Sequence, residues 1–309
     1  MDQGEKTAMD STVQQTDILS KFSNGLADAV ERAGKSVVLV NGRERQAASG
    51  IVFTSGVVLT AAHVIEREDP EIETADGKTF KAALAGRDPA TDLAVLKVDG
   101  LDVEPAAFGN GAKVGQFVLA VGRPSSGHVM ASGGIVSAAG GPLRTREGVL
   151  LEQYLATDAR PYPGFSGGPL INAEGEVLGV MTSGIMGNSS VVIPAALTSR
   201  VVRALLETGT IKRGYLGVGS QAVDLNENQR AGRKQESGLL VVHVDESSPA
   251  NSAGFLIGDI LVGLDGQAVT DGDVLVALLG GDRIGKSLAA DVIRGGELRT
   301  LHVTLGERK

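Results

Sequence analysis

From Ser36 to Ala156 the chain is a succession of short runs rich in valine, isoleucine and leucine, each closed by glycine or polar residues. No other feature restricts the fold as strongly. Ser36–Asn41, Ser49–Thr54 and Val57–Ala61 come first; Asp76-Gly77 is a hairpin signal between Glu71–Thr74 and Thr79–Ala85; Asp92–Val98, Gln116–Gly122, Ile135–Ala139 and Leu150–Ala156 follow. β-Branched residues suit a pleated, half-buried surface, and Asp-Gly supplies the positive φ of a tight turn. Evenly spaced short strands without helices between them predict a sandwich or barrel, and the roughly 160 residues between Gly34 and Ala195 accommodate two small barrels packed together. The 43 glycines, with no G-X-Y period, and only 3% aromatics fit many tight turns and cores filled by Val, Leu, Ile and Ala.

Helical periodicity frames this region. After a polar segment 1–15, expected to be flexible, Ile18, Leu19, Phe22, Leu26, Ala29, Val30 and Ala33 recur at helical spacing until Gly34, a docking helix expected to pack on its own domain. A second helix, Ala195–Glu207, ends at Thr208-Gly209-Thr210 and marks a boundary: one unit over 16–210 and another over 211–309. The latter has strands at Gly238–Val244, Asp259–Leu264, Leu288–Arg294 and Arg299–Leu305, and a helix near Asp273–Leu279. The fold class is mainly β: a double barrel followed by a smaller α+β module.

A formal charge of −8 argues against nucleic acid, whose phosphates require a concentrated basic surface. The chain has no cysteine, which excludes disulfides and thiolate chemistry. Residues Met1 to Thr16 lack a basic stretch followed by an apolar one, and no run of about 18 apolar residues suggests a membrane span. As written the chain is expected to be cytoplasmic; with a leader or anchor removed, the same sequence would belong to the periplasm or another extracytoplasmic space.

The chemistry centres on Gly164-Phe165-Ser166-Gly167-Gly168-Pro169-Leu170. Read alone this is a Gly/Ser turn; its glycines also allow successive N–H groups to converge beside the Ser166 hydroxyl, as an acyl-transfer nucleophile needs. Partners decide between the two. Of four histidines, His128 lies in a Pro/Ser/Gly loop, and His243 and His302 lie on strands of the second module; His63 ends the run Val57–His63 among small residues that let an imidazole approach another segment. Asp92 heads the apolar run Leu93–Leu96, where a charge costs desolvation unless a partner receives it. As a turn cap after Arg87-Asp88-Pro89 it would be bland; beside a histidine it would fix the imidazole tautomer.

In the order His, Asp, Ser, the segments Thr60–Val64, Thr91–Lys97 and Gly164–Leu170 resemble the catalytic segments of the HtrA (Deg) family of trypsin-like serine proteases. Ser132–Ser137, Val177–Ser183 and Lys212–Val218 extend the resemblance, which covers Gln46 to the C-terminus. It implies two six-stranded barrels with the triad between them, then one PDZ domain. Ser166 would be the nucleophile, His63 the general base and Asp92 the orienting acid, with an oxyanion hole in Gly164-Phe165-Ser166 built on the N–H groups of Gly164 and Ser166. No metal or cofactor is implied. Pro161, Thr182, Ser183 and Gly184 match positions along the substrate cleft; a small uncharged wall implies small aliphatic P1 residues, with Arg160 an awkward neighbour.

In the second module Ser247-Ser248-Pro249-Ala250, Ala253-Gly254 and Gly258–Leu261 resemble the PDZ core signature. Tyr215-Leu216-Gly217-Val218 resembles its carboxylate-binding loop, with Val274 and Leu278 facing the peptide's last side chain. The resemblance also implies unfolded polypeptide substrates, peptide C-termini at the PDZ domain and a homo-oligomer built on trimers. One departure stands out. The family usually has asparagine where Phe165 stands, so Phe165 is expected either to line the leaving-group side or to steady the loop by packing. Two other readings are open to test: a chaperone-like scaffold whose triad is rarely assembled, and a G-x-S-x-G elbow of an α/β-hydrolase. The latter requires the acid and base after the serine and alternating strands and helices, and here both precede it in a β-rich run.

Overall fold

Alanine, glutamate, lysine, methionine and glutamine, with no proline to interrupt them, carry the first helix, α1, over Gln3–Gly34. It therefore starts well before Thr16, and residues 3–15, expected to be flexible, are helical. Its apolar stripe packs only in part: Ala29 and Ala33 are buried and Phe22 meets Phe117 edge-on at 5.7 Å, whereas Ile18 and Leu19 are 65% and 69% exposed.

The computed structural model describes residues 3–125, 128–141, 143–144, 150–151, 153–185, 191–211, 214–280 and 283–307. They fall into two compact units, Met1–Thr210 and Ile211–Lys309. In the first unit β1 (Val37–Asn41), β2 (Ala48–Thr54), β3 (Val57–Ala61), β4 (Glu71–Glu73), β5 (Thr79–Lys81), β6 (Ala83–Asp88) and β7 (Leu93–Lys97) form one sheet in the order β5-β4-β1-β2-β3-β7-β6. That is seven strands where six were expected, because Ala82 interrupts what would be one strand into β5 and β6. Asp76-Gly77 does close the β4–β5 hairpin, with Gly77 at φ +81°. Val38, Val40, Ile72 and Leu96 fill the core of this half.

A closed barrel follows, made of β8 (Phe117–Ser125), β9 (His128–Gly140), β12 (Tyr154–Thr157), β13 (Pro169–Ile171), β14 (Val177–Thr182) and β15 (Val191–Pro194) in the order β12-β15-β14-β13-β8-β9. The short pair β10 (Leu143–Arg144) and β11 (Leu150–Leu151) stands outside it. Helix α2 (Ala195–Thr208) closes the unit, ending on Gly209 in the left-handed conformation that glycine adopts without strain. Arg123 on β8 ties the pieces together. Its guanidinium is buried and donates to the carbonyls of Val37 (2.8 Å) and Gly34 (3.0 Å), the latter at the C-terminal end of α1. Desolvation lowers its pKa, opposed by the charge of Glu73.

In the second unit β16 (Gly214–Tyr215) pairs with β23 (Gly306–Glu307). The main sheet runs β17 (Val218–Asp224), β18 (Ser237–Val244), β19 (Ile260–Leu264), β21 (Ser287–Arg294), β22 (Glu297–Thr304), with β20 (Gln267–Ala268) on β19. A single-turn helix α3 (Pro249–Ser252) and α4 (Gly272–Leu278) complete it. Ser248 caps α3, accepting from Asn251 N–H at 3.1 Å. Leu239, Val241, Leu261, Ala290 and Val303 form its core.

Candidate active site

His63 stands not on β3 but on the single 3-10 turn Ala62–Val64 that follows it. Asp92 precedes β7 and adopts φ +52°, a left-handed conformation that a short polar side chain tolerates. Because β3 and β7 are neighbours, the Ala62 N–H reaches the Asp92 carbonyl (2.8 Å) and the His63 N–H reaches Asp92 Oδ1 (2.8 Å). Asp92 Oδ2 then lies 2.6 Å from His63 Nδ1. A carboxylate only accepts, so the imidazole carries its proton on Nδ1 and leaves the Nε2 lone pair to take another. Asp92 is buried, and the His63 side chain is 29% exposed, open on one side to a reactant.

Thr182, expected in the wall of the substrate cleft, instead turns inward. It is 4% exposed, its hydroxyl donates to Asp92 Oδ2, and its oxygen accepts the Gly184 N–H at 3.0 Å. A third donor thus compensates the buried carboxylate. Ser183 and Gly184 are exposed beyond the end of β14, as is Pro161 before the serine loop. Gly184 covers the His63–Asp92 pair so closely that a Cβ there would sit 2.4 Å from Asp92 Oδ2 and 3.0 Å from His63 Nδ1.

Ser166 lies in the loop between β12 and β13. Gly164 (φ +89°) and Gly167 (φ +85°) flank it in left-handed conformations, and a Cβ on Gly167 would fall 2.3 Å from the Ser49 carbonyl. The N–H groups of Gly164 and Ser166 donate to no described residue, leaving two donors beside the hydroxyl. The hydroxyl itself lies 3.2 Å from Ser183 Oγ, its hydrogen-bond partner among the described residues.

Phe165, expected in the oxyanion hole, adds no third open donor: its N–H is taken by the Tyr162 carbonyl at 3.0 Å. Nor does its ring face the leaving-group side. It is fully buried in the barrel core with Val118, Val136 and Leu170, meets Tyr162 edge-on at 5.5 Å, and presses on Gly122, where a Cβ would come within 2.6 Å of Phe165 Cδ1. Of the two expected roles, packing is the one its position serves.

In the second unit β17 is an edge strand, and α4 contacts it. The loop Tyr215–Val218 is held from behind: Ala250 N–H donates to the Leu216 carbonyl (2.9 Å), Asp245 N–H to the Gly217 carbonyl (3.0 Å), and the Tyr215 hydroxyl to Asp245 Oδ2. Gly217, at φ +82°, admits no side chain, since a Cβ would lie 2.1 Å from Ser248 Cβ. The N–H groups of Leu216 and Gly217 donate to no described residue. The Tyr215 hydroxyl, and after it His243, hold the Asp245 carboxyl below the usual aspartate value of 3.8. Val274 is half-buried and Leu278, one turn further on the same face of α4, is 7% exposed; both pack against the core of this unit.

A two-part β unit that pairs His63 with the buried Asp92 and sets Ser166 in a glycine-flanked loop, followed by a small α+β unit, has the architecture of a trypsin-like domain with a PDZ domain. Residues 48–180 match the trypsin-like peptidase domain family and residues 214–305 the PDZ domain family. The chain belongs to the HtrA family. It is 31% identical to the solved structure described as "HtrA-type protease AlgW with tripeptide", with a TM-score of 0.78, covering 92% of this chain and 97% of that one. It is 35% identical over 277 residues to a "Probable periplasmic serine endoprotease DegP-like" of Pseudomonas putida strain F1, covering 85% of this chain and 57% of that protein. A protein of the same description from Halomonas elongata is 35% identical over 273 residues, with the same coverage of 85% and 57%. The chain thus spans little more than half the length of these curated relatives. Among the described residues no helix is long and apolar enough to cross a membrane.

Of the residues singled out in the sequence, His63 and Asp92 are paired and Ser166 lies in the glycine-flanked loop; Thr182, expected in the cleft wall, engages Asp92, and Ser49, which the sequence did not single out, bonds the Gly164 carbonyl. Ser49 carried a signal of a kind, a small polar residue opening an otherwise apolar strand run.

Proposed function

We propose that this chain is an ATP-independent serine endopeptidase acting on unfolded or misfolded polypeptide. Ser166 attacks the scissile carbonyl carbon while His63 Nε2 takes its proton. Asp92 holds the imidazole and stabilises the imidazolium, and the Gly164 and Ser166 N–H groups receive the oxyanion. The imidazolium then protonates the leaving amine, and water hydrolyses the acyl-enzyme by the same route in reverse. The observation that carries this reading is the 2.6 Å contact of His63 Nδ1 with a buried carboxylate, together with a serine flanked by two N–H groups that engage no described residue. Ser183 and Gly184 edge the cleft, where an extended segment adds as a strand.

The boundary near 210 then separates a protease domain, 16–210, from a PDZ domain, 211–309. The latter captures peptide C-termini on the Leu216 and Gly217 N–H groups with the peptide beside Val218, and regulates cleavage. The tripeptide in the AlgW structure supports peptide capture, and the periplasmic description of the relatives supports a periplasmic rather than a cytoplasmic setting. A trimer-based oligomer completes the reading.

Digestion of casein by the wild-type chain and by Ser166→Ala tests the mechanism: the variant is expected to be inert. Equal digestion by the two sinks the peptidase, and no digestion by either, with casein aggregation suppressed, favours the chaperone-like scaffold.

A further inference from the structure

Ser49, at the start of β2, is fully buried and takes no part in the proton transfers of the proposed reaction. Every polar atom it has is nevertheless engaged with the serine loop or its supports. Its hydroxyl donates to the Gly164 carbonyl at 2.7 Å and accepts the Arg123 N–H at 2.8 Å. Its own N–H donates to the Ser166 carbonyl at 3.1 Å, and its carbonyl accepts the Thr60 hydroxyl at 2.7 Å. One residue of the first sheet therefore grips the serine loop at both ends of Gly164–Ser166, and it does so across 115 positions of sequence at the hydroxyl contact.

We infer that Ser49 is a positioning residue for the oxyanion hole, resting on the peptidase reading above. A glycine at φ +89° has no side chain to restrict the rotation of its flanking peptides, so the orientation of the Gly164–Phe165 plane depends on the hydrogen bonds made to it. The Gly164 carbonyl is fixed by the Ser49 hydroxyl, the Phe165 N–H by Tyr162 and the Ser166 carbonyl by the Ser49 N–H. With these bonds made, the Gly164 and Ser166 N–H groups are left without an acceptor among the described residues. The hydroxyl contact is the only one of the three supplied by a side chain. Without it the Gly164 carbonyl has lost its partner, and the Gly164–Phe165 peptide, which joins the two planes that carry the Gly164 and Ser166 N–H groups, can turn and change how those two donors face one another. The neighbouring packing leaves little slack: Pro124 lies where a Gly164 Cβ would be, at 2.5 Å, and Arg123, which anchors α1 and β1, donates its N–H to the same hydroxyl.

The test is Ser49→Ala in the full chain, with an extended chromogenic peptide as substrate. Active sites are counted by the burst from an acylating ester, and affinity for a peptide boronate is measured separately. A hole donor is worth about 10²–10³-fold in rate, and a misplacement near 1 Å costs about 10²-fold. Per active site, kcat is therefore expected to fall about 10- to 100-fold with KM within about threefold, and boronate affinity, which reports the tetrahedral geometry, to fall with kcat. A merely structural role predicts the opposite pattern: fewer active sites, each turning over as in the wild type, and that outcome overturns the inference. If Ser49→Ala is recovered only as aggregate, Ser49→Cys, whose thiol is a weaker donor in the same place, is measured instead. A per-site kcat at least threefold below wild type supports the inference, and one at the wild-type level overturns it. Should the wild type itself prove inactive, the peptidase reading fails first and independently of Ser49.

Discussion

Gly184→Ala adds one methyl group, and the structure says where it goes. The new Cβ sits 2.4 Å from Asp92 Oδ2, against about 3.4 Å for ordinary contact, so one of the two must move by about 1 Å. Gly184 carries no positive φ, so the substitution brings no backbone strain of its own. The oxygen it meets is the one that holds His63 Nδ1 at 2.6 Å and accepts the Thr182 hydroxyl. Pushed 1 Å away, it leaves His63 beyond hydrogen-bond reach. The imidazole then loses its fixed tautomer. In a Ser-His-Asp triad the wrong tautomer costs about 10⁴-fold in kcat, and a 1 Å misplacement alone costs about 10²-fold. Peptide hydrolysis by Gly184→Ala is therefore expected to fall between about 10² and 10⁴-fold in kcat, while its melting temperature stays within a few degrees of wild type. The assay is steady-state hydrolysis of an extended chromogenic peptide, with calorimetry on the same preparation. A variant that keeps kcat within tenfold and loses only in KM shows that residues 183–185 gave way instead of Asp92, and refutes the reasoning.

Thr182→Val removes one of three donors to a buried carboxylate. A hydrogen bond to a charged group is worth about 1.5–3 kcal/mol, so kcat should drop roughly 10- to 100-fold, and an unchanged rate would show that the hydroxyl is idle. Phe165→Ala empties a fully buried site that Gly122 and Tyr162 cannot refill, at about 3–5 kcal/mol; for a unit of this size that lowers the first melting transition by about 6–20 °C, and a shift below about 3 °C contradicts the packing role. Tyr215→Phe removes the main cause of the lowered Asp245 pKa, so its carboxyl should titrate closer to 3.8 by NMR. The sign for stability follows: a depressed folded value stabilises the second unit above the ordinary aspartate range and is lost as pH falls through the folded value, so Tyr215→Phe should flatten its acid sensitivity. An identical titration midpoint in both proteins excludes the Tyr215–Asp245 bond.

Local chemistry is what the sequence by itself determined. Strand runs such as Val57–Ala61 and Leu93–Lys97, the Asp76-Gly77 hairpin and the helix Ala195–Thr208 depend on side-chain periodicity and turn residues that neighbours in sequence supply. His63, Asp92 and Ser166 stood out for the same reason, as reactive residues in small or glycine-rich surroundings. Tertiary structure alone decided what those residues touch. Thr182 turns from a cleft wall into a donor to Asp92 across 90 positions, because β14 ends beside the turn that carries the aspartate. Phe165 enters the barrel core because Gly122 leaves room for its ring, and Ser49 grips a loop that follows it by more than a hundred residues. Such contacts arise from the closure of sheets, which brings distant segments together in registers that no local pattern encodes.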